Sequence, residues 1–314
     1  VRLLAGDVGG TKTLLQIVDL DANGVVSERR FESGAYATFD AMLSEFLGGG
    51  AQDIDAACFA VAGPVIDRRA EITNLKWVME TRALEKSFGI PRISLINDFY
   101  AVALGVPLLA AEDRIVLNRG NRNDHSPIAI LGAGTGLGQA ILTWSGTQWN
   151  VIPSEGGHAD FAPQDEWQSH LFLHLHEKYG HVSWERLISG MGLANIYEFI
   201  SGEAIDPAVV AQRNADGEPN AKRAFAAFVD IYGAEAGNMA LRVLARGGVY
   251  LAGGVAAKNR DEFTDGRFMA AFLRKGRFRE LLEEMPVELI TNEKVGLRGA
   301  LEMARRIATS PPPA

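Results

Sequence analysis

Apolar and polar positions follow two periods along this chain, and each switch between them marks an element. Leu3–Gly6 and Thr13–Leu20 are apolar runs on either side of a glycine turn, and Val25–Phe31 follows a second turn, "DANG". Three successive strands are predicted. Residues 37–48 shift to helical spacing (Phe39, Met42, Leu43, Phe46, Leu47) and stop at Gly48-Gly49-Gly50. "AACFAVAG" is apolar almost without interruption, as in a strand buried on both faces. Residues 81–88 predict a helix with Gly89 as terminator and Pro91 just beyond. "RISLI" predicts a strand that runs into a helix, "NDFYAVALG", opened by Asn97-Asp98.

From Pro127 a similar order begins again. "PIAILGAG" predicts a strand, "TGLG" a turn, and "QAILTW" and "TQWNVIP" two more strands. Both "LLAGDVGGTKTLLQIV" and "IAILGAGTGLGQAILTW" read as strand, glycine turn with threonine, strand. That weak internal echo suggests two domains of one topology related by duplication. Helices are then predicted at 165–180, 183–201, 204–214 and 221–246, followed by a buried strand in "GGVYLAGGV", a strand "PVELIT" and a closing helix Val295–Ile307. The final "SPPPA" is expected to fray, because proline cannot continue a helix. The polar stretch Asn118–Ser126, "NRGNRNDHS", is the expected hinge.

Composition narrows the class. At 314 residues the chain has room for two ordinary domains, and its 47% apolar and 22% charged content is that of a soluble globular protein. No run approaches the ~20 apolar residues of a membrane span, and the opening "VRLLAGDVGG" lacks the layout of a signal peptide. With 39 acidic against 31 basic residues, the net charge of −8 leaves no electrostatic footprint for nucleic acid. The single cysteine, Cys58, excludes an internal disulfide or a cysteine-rich zinc site. A cytoplasmic protein with Cys58 buried in a strand is expected.

The candidate chemistry begins at Asp7-Val8-Gly9-Gly10-Thr11-Lys12-Thr13. A Walker loop needs glycine directly before the lysine, and a dinucleotide fingerprint needs a helix after the turn; this stretch has neither. What remains is a hairpin whose glycines let backbone N–H groups approach an anion, with Thr11 and Thr13 as hydroxyl donors. Asp7 would repel bare phosphate, so its place there makes sense with Mg²⁺ between them. The plain alternative is an ordinary hairpin turn. "LGAGTGLGQ" sets four glycines around Thr135 at the matching place in the second half. "VYLAGGVAAKN" ends a buried strand in Gly253-Gly254, which leaves backbone open to a flat ring or simply terminates a strand.

Asp98 is the acid/base candidate. It would stand with Asn97 at the carboxyl end of a parallel strand, where ligands of such sheets bind; the competing role is a helix N-cap. In "IPSEGGHADFAP", Glu155 and His158 flank a Gly-Gly turn, so both can point at one small ligand. Glu185, in "SWERLISGMGL", is either a further ligand or a favourable charge at a helix start. His170 and His174 sit four apart, but no HExxH pattern accompanies them and an exposed helix face explains them.

Together "DVGGT", "INDFYAVALG", "LGAGTGLG", "PSEGGHADFAP", "ERLISGMGL", "LAGGVAAKN" and "VGLRGALEMA" resemble, in order and across nearly the whole chain, the bacterial glucokinase family of the actin-like sugar kinase superfamily. The resemblance implies an α/β fold of two ribonuclease-H-like domains around a deep cleft, the second with a large helical insertion. The smaller domain would be 1–118, with the C-terminal helix at about 296–310 packing back on it, and the larger 119–295. It implies ATP and Mg²⁺, glucose as the acceptor at its 6-hydroxyl, and a homodimer. By position, Asp98 resembles the general base; Asn97, Glu155, His158 and Glu185 the sugar ligands; Asp7, Gly9, Gly10, Thr11, Thr135 and Gly136 the phosphate grip, with Asp7 on the metal side through water; and Gly253-Gly254 the adenosine floor. Lys12 and Trp184 take no assigned role. The related repressor/kinase family carries a cysteine-rich zinc motif that one cysteine cannot supply. The other readings are a kinase for another hexose or an N-acetyl amino sugar, a sugar-sensing regulator, and a non-catalytic actin-like nucleotide switch. The switch would leave Glu155, His158 and Glu185 unexplained.

Overall fold

Two of the predicted glycine stops act as terminators: Gly48 (φ 62°) and Gly89 (φ 66°) take the left-handed conformation directly after helices Phe39–Leu47 and Thr81–Phe88. The computed structural model describes residues 1–22, 24–48, 53–72 and 74–309. Asn23 of the "DANG" turn, Gly49-Gly50 and the "SPPPA" tail lie outside the described residues.

In chain order, strands β1 (Arg2–Val8), β2 (Lys12–Asp19) and β3 (Gly24–Glu32) precede helix α1 (Phe39–Leu47) and strand β4 (Ala56–Val61). Short strands β5 (Val65–Ile66), β6 (Arg69–Ile72) and β7 (Trp77–Glu80) lead to α2 (Thr81–Phe88), β8 (Ile93–Asn97) and α3 (Asp98–Gly105). Then come β9 (Arg114–Asn118), β10 (Ile128–Ala133), β11 (Leu137–Trp144) and β12 (Trp149–Ser154). Helices α4 (Glu166–Tyr179), α5 (Gly190–Ser201), α6 (Pro207–Ala215) and α7 (Pro219–Val243) follow. After β13 (Gly248–Ala252) stand the short helices α8 (Gly254–Lys258), α9 (Arg260–Thr264), α10 (Arg267–Phe272) and α11 (Arg279–Glu283). Strand β14 (Val287–Ile290) and α12 (Val295–Thr309) complete the order.

The chain divides into two units, Val1–Leu109 with Glu293–Ala314, and Ala110–Asn292. In the first, the sheet order is β3-β2-β1-β4-β8, with β1, β2 and β3 antiparallel and β1, β4 and β8 parallel. Alternation along the strands gives this sheet two buried faces. Leu4, Val8, Phe59 and Val61 share one core with Met42, Leu43 and Phe46 of α1. Leu3, Ala5, Cys58 and Ala60 point the other way and are equally buried. The small side chains of Ala5, Cys58 and Ala60 suit the close approach of α12, which packs on β1 and β4 and lies against α3. The α3–α12 contact is tight enough that a Cβ on Gly299 would stand 1.7 Å from the Ala101 carbonyl oxygen. Strands β5, β6 and β7 form a small antiparallel sheet of their own, which the sequence pattern did not predict.

The second unit is built on a sheet of order β12-β11-β10-β13-β14-β9, whose first five places repeat the topology of the first sheet. The internal echo is therefore a shared topology. Its core gathers Phe225, Phe228 and Tyr232 of α7 around Leu131, Leu251, Trp184 and Phe268. Strand β9, absent from the sequence reading, pairs antiparallel with β14 and belongs to this unit. The stretch expected to be a hinge is tied into the same unit: Asn118 Nδ2 donates to the carbonyls of Glu283 and Met285, and Asn121 N–H to that of Glu284. The division between units accordingly falls between Leu109 and Ala110. The helix expected over 183–201 is a short 3₁₀ turn, Trp184–Arg186, followed by α5; Ser189 accepts from Gly192 N–H at 3.0 Å and starts a new helix. Among the described residues, no helix is long and apolar enough to cross a membrane.

Candidate active site

Pairing of Asp7 with Leu14 and of Val8 with Thr13 makes the first glycine loop the turn of a β1–β2 hairpin. Gly9 N–H donates to the Lys12 carbonyl (3.0 Å), and a Cβ on Gly9 would stand 2.9 Å from that oxygen. Lys12 itself starts β2 with an exposed side chain, so its clearest contribution is that carbonyl. Ser33, which the sequence reading did not select, closes the loop from behind. Its Oγ donates to the Gly9 carbonyl (2.8 Å) and lies 2.9 Å from Thr13 Oγ1, while its N–H donates to the Thr11 carbonyl (2.9 Å). Thr13 is fully buried in that contact, which corrects its expected role as an anion donor; Thr11 stays exposed.

Asp7, Asn97 and Asp98 meet at the carboxyl ends of three parallel strands. Val8 pairs with Val61, and Val61 with Asn97, so β1, β4 and β8 finish in one row. Asn97 caps α3: its Oδ1 accepts from Phe99 N–H (2.9 Å) and Tyr100 N–H (3.1 Å), and its Nδ2 donates to the Gly63 carbonyl (3.1 Å). With Asn97 capping, Asp98 accepts one bond at Oδ1, from Phe99 N–H at 2.8 Å. Burial raises the pKa of Asp98 above the ordinary aspartate range, against the pull of Phe99 N–H and Asn97. The Asp7 carboxyl is pushed up to about 6, first by desolvation and then by the charge of Asp98, with Arg30 opposing.

This shift has a stability consequence whose sign is fixed. A carboxyl that holds its proton more tightly when folded favours folding below the unfolded pKa, and that contribution is lost as pH rises through the folded value of about 6. In protein free of nucleotide and metal, Asp7→Asn should therefore be more stable than the parent at pH 8 by on the order of 2 kcal/mol, an advantage that disappears by pH 4. A difference in melting temperature that is the same at both pH values would contradict the shift.

The second unit holds the other predicted residues. In the β10–β11 hairpin, Gly134 N–H donates to the Gly136 carbonyl (2.8 Å), Gly190 N–H donates to the Gly134 carbonyl (2.8 Å), and Thr135 is exposed at the tip. Glu185 Oε2 accepts from Leu137 N–H at 2.9 Å, and a Cβ on Gly136 would lie 2.4 Å from that oxygen. Glycine is thus needed beside Glu185 for a steric reason. Trp184 anchors the neighbouring backbone, its buried indole edge-on to Phe161 with centroids 5.1 Å apart. After β12, residues Gly156–His158 make a 3₁₀ turn with His158 N–H donating to the Glu155 carbonyl (2.9 Å). The His158 ring lies between two carboxylates, Nδ1 3.9 Å from Glu185 Oε1 and Nε2 3.9 Å from Glu155 Oε2. The Glu155 side chain is 94% exposed, His158 61% and Glu185 30%. Two acceptors and a ring that can donate or accept, open to solvent around a two-glycine turn, suit a polyhydroxylated ligand.

Gly253, at the end of β13, has φ 87°, and a Cβ there would meet the Ala133 carbonyl at 2.3 Å. It stands beside the second glycine hairpin, since Gly132 of β10 pairs with Ala252. Gly254 opens α8. Among the described residues, no group of three His, Cys, Asp or Glu side chains could hold a metal ion.

A family profile described as Glucokinase matches residues 4–307. The glucokinase of Nostoc sp. is 40% identical over 339 residues, covering 97% of this chain and 99% of that protein. The glucokinase of Photorhabdus laumondii is 37% identical over 305 residues, covering 95% of each. The crystal structure of a glucokinase from an Antarctic psychrotroph is similar with a TM-score of 0.88 at 28% identity, over 97% of this chain and 99% of that one.

Proposed function

The chain belongs to the glucokinase family, and from that premise we propose which residues carry its reaction, the ATP-dependent phosphorylation of glucose. Its two-unit α/β architecture is the actin-like ATPase fold of that family. Asp98 takes the proton of the sugar 6-hydroxyl as the oxygen bonds to the γ-phosphorus of ATP; the bond from that phosphorus to the bridging oxygen breaks, and ADP leaves with its electron pair. Asn97, Glu155, His158 and Glu185 read the sugar hydroxyls. Gly9, Gly10, Thr11, Thr135 and Gly136 hold the phosphates, and Gly253-Gly254 floors the adenosine.

The observation that carries the proposal is the pair Asp98 and Asn97. The asparagine supplies the helix cap, which leaves the adjacent buried carboxylate, its proton affinity raised, for chemistry. Asp7 fits a Mg²⁺ site. Its carboxylate is costly to ionise because it is buried and because Asp98 is near, and with no complete protein donor set among the described residues the remaining ligands would be water and phosphate oxygens, the usual arrangement for this ion. When bound, Mg²⁺ neutralises charge on the transferred phosphoryl group.

Deoxyglucose analogues test the sugar assignment. Loss of one bound hydroxyl should lower the parent's kcat/KM by up to about 10⁴-fold. Glu155→Gln, His158→Ala and Glu185→Gln should each lower kcat/KM for glucose by about tenfold or more and flatten the penalty for the analogue missing the hydroxyl that residue reads. An unchanged ranking of the analogues in all three variants would overturn the assignment. The same reading takes the working form as a cytoplasmic homodimer, the state the family resemblance favours, and a solution mass measurement checks the second part.

A further inference from the structure

Glu235 sits within α7 with no exposed surface, a carboxylate for which phosphoryl transfer has no use. Its Oε1 accepts from Gln139 Nε2 (3.0 Å) and from Arg242 Nη1 (2.8 Å), and its Oε2 from Asn238 Nδ2 (3.0 Å). Asn238 Oδ1 in turn accepts from Lys275 Nζ at 2.7 Å. A buried carboxylate is tolerated when it is paired this fully, yet apolar residues in place of the whole cluster would often serve stability as well. The other end of Gln139 indicates what the arrangement does.

Gln139 lies in β11, itself buried, and pairs across the sheet with Ser154, the last residue of β12. Its Oε1 faces Gly156 so closely that a Cβ there would stand 2.2 Å away, and 3.1 Å from Ser154 Oγ. Gly156 N–H donates to that Ser154 hydroxyl (3.0 Å), and a Cβ on Gly157 would meet the Leu137 carbonyl at 2.2 Å. The two glycines between Glu155 and His158 are thus seated directly on β11, with no room for a side chain between. Glu155 and His158 are largely exposed, and their charged contacts to each other and to Glu185 are no closer than 3.9 Å. The backbone turn therefore sets where they point.

An amide has one donating end and one accepting end, and a carboxylate can only accept. Glu235 therefore fixes which way round the Gln139 amide sits. Flipping it would bring the amide oxygen against the carboxylate and press the NH₂ group onto the Gly156 Cα. We propose that Gln139 and Glu235 are positioning residues for the sugar: Glu235 orients the Gln139 amide, and the amide seats the Gly156–Gly157 turn that presents Glu155 and His158. This rests on the assignment of Glu155 and His158 to glucose.

The test is steady-state kinetics on Gln139→Leu, Glu235→Gln and the double variant, with Glu155→Gln and His158→Ala run beside them. Gln139→Leu should raise the glucose KM by about tenfold while kcat and the ATP KM stay within about twofold, a split that general loss of stability would not produce. Glu235→Gln should shift the glucose KM in the same direction, and the double variant should add nothing to Gln139→Leu, because Glu235 acts through the amide alone. Equal rises in both KM values, an unchanged glucose KM, or additive effects in the double variant would overturn the proposal. If Gln139→Leu fails to fold, Gly156→Ala presses on the same contact from the opposite side and must raise the glucose KM alike. If Glu155→Gln and His158→Ala leave the glucose KM unmoved, the sugar assignment fails; if they raise it and Gln139→Leu does not, only the positioning role fails.

Discussion

Asp98→Asn is expected to lower kcat for glucose phosphorylation by about 10²-fold or more while glucose affinity moves by less than about tenfold, the span of general-base contributions. The substitution is close to isosteric, and the amide oxygen it introduces can still accept from Phe99 N–H as Asp98 does. Helix α3 keeps its cap, because Asn97 Oδ1 accepts from the N–H groups of both Phe99 and Tyr100 whatever stands at 98. What the proposed role loses in this variant is the proton acceptor. The pH profile separates this from a binding defect: the parent's kcat/KM should show an acid limb above the ordinary aspartate range, since burial raises that carboxyl, and the limb should be absent from the variant. Single-turnover measurement with ATP and saturating glucose gives the chemical step directly, and a near-normal rate in Asp98→Asn would remove Asp98 from the reaction.

The second large effect concerns the helix beneath that carboxylate. In Gly299→Ala the new methyl carbon would lie 1.7 Å from the Ala101 carbonyl oxygen, 2.6 Å from its carbon and 3.0 Å from Gly105 N. All three are backbone atoms of α3, so no rotamer change relieves the clash and α12 has to move away. The cost should exceed the roughly 1–3 kcal/mol of ordinary overpacking, because the displacement also opens the contact of α12 with β1 and β4. A melting temperature lower by on the order of 10 °C is expected, with glucose turnover lost over the same transition, since Asp98 is the first residue of α3. Gly34→Ala is the control: a Cβ there meets nothing within 4 Å. If the two variants melt alike, the α3–α12 contact is not the close packing described.

Legibility in the sequence depended on range. "AACFAVAG" was readable because β4 is buried along its whole length, and the glycine hairpins because a turn is a local event. Strands β5, β6 and β7 were not, because they are two to four residues long and interrupted by Asp67, Arg68 and Lys76, all at positive φ. "RIVLN" carries no decisive period, and becomes a strand through β14, far along the chain. The short helices α8 to α11 are five or six residues each, too brief to display a period of 3.6. At the site, residue types were legible and their division of labour was not. Which of Asn97 and Asp98 caps the helix, whether Thr13 faces solvent or Ser33, and what Gln139 does for a turn more than a dozen residues later all depend on side chains that meet only in three dimensions.

The return of α12 to the first unit also bears on how the protein is made. Residues 1–109 leave the ribosome early, but the helix that covers Leu3, Ala5, Cys58 and Ala60 arrives only after residues 110–292 have been synthesised. Until then that face of the nascent sheet has α3 against β4 and β8 but no cover over β1, and Asp7 lacks the neighbouring Gly296 in the first turn of α12. The second unit has no such wait. Its strands and helices lie in one continuous stretch, so it is free to fold while translation continues, and the surroundings of Asp7 in the first unit are finished last.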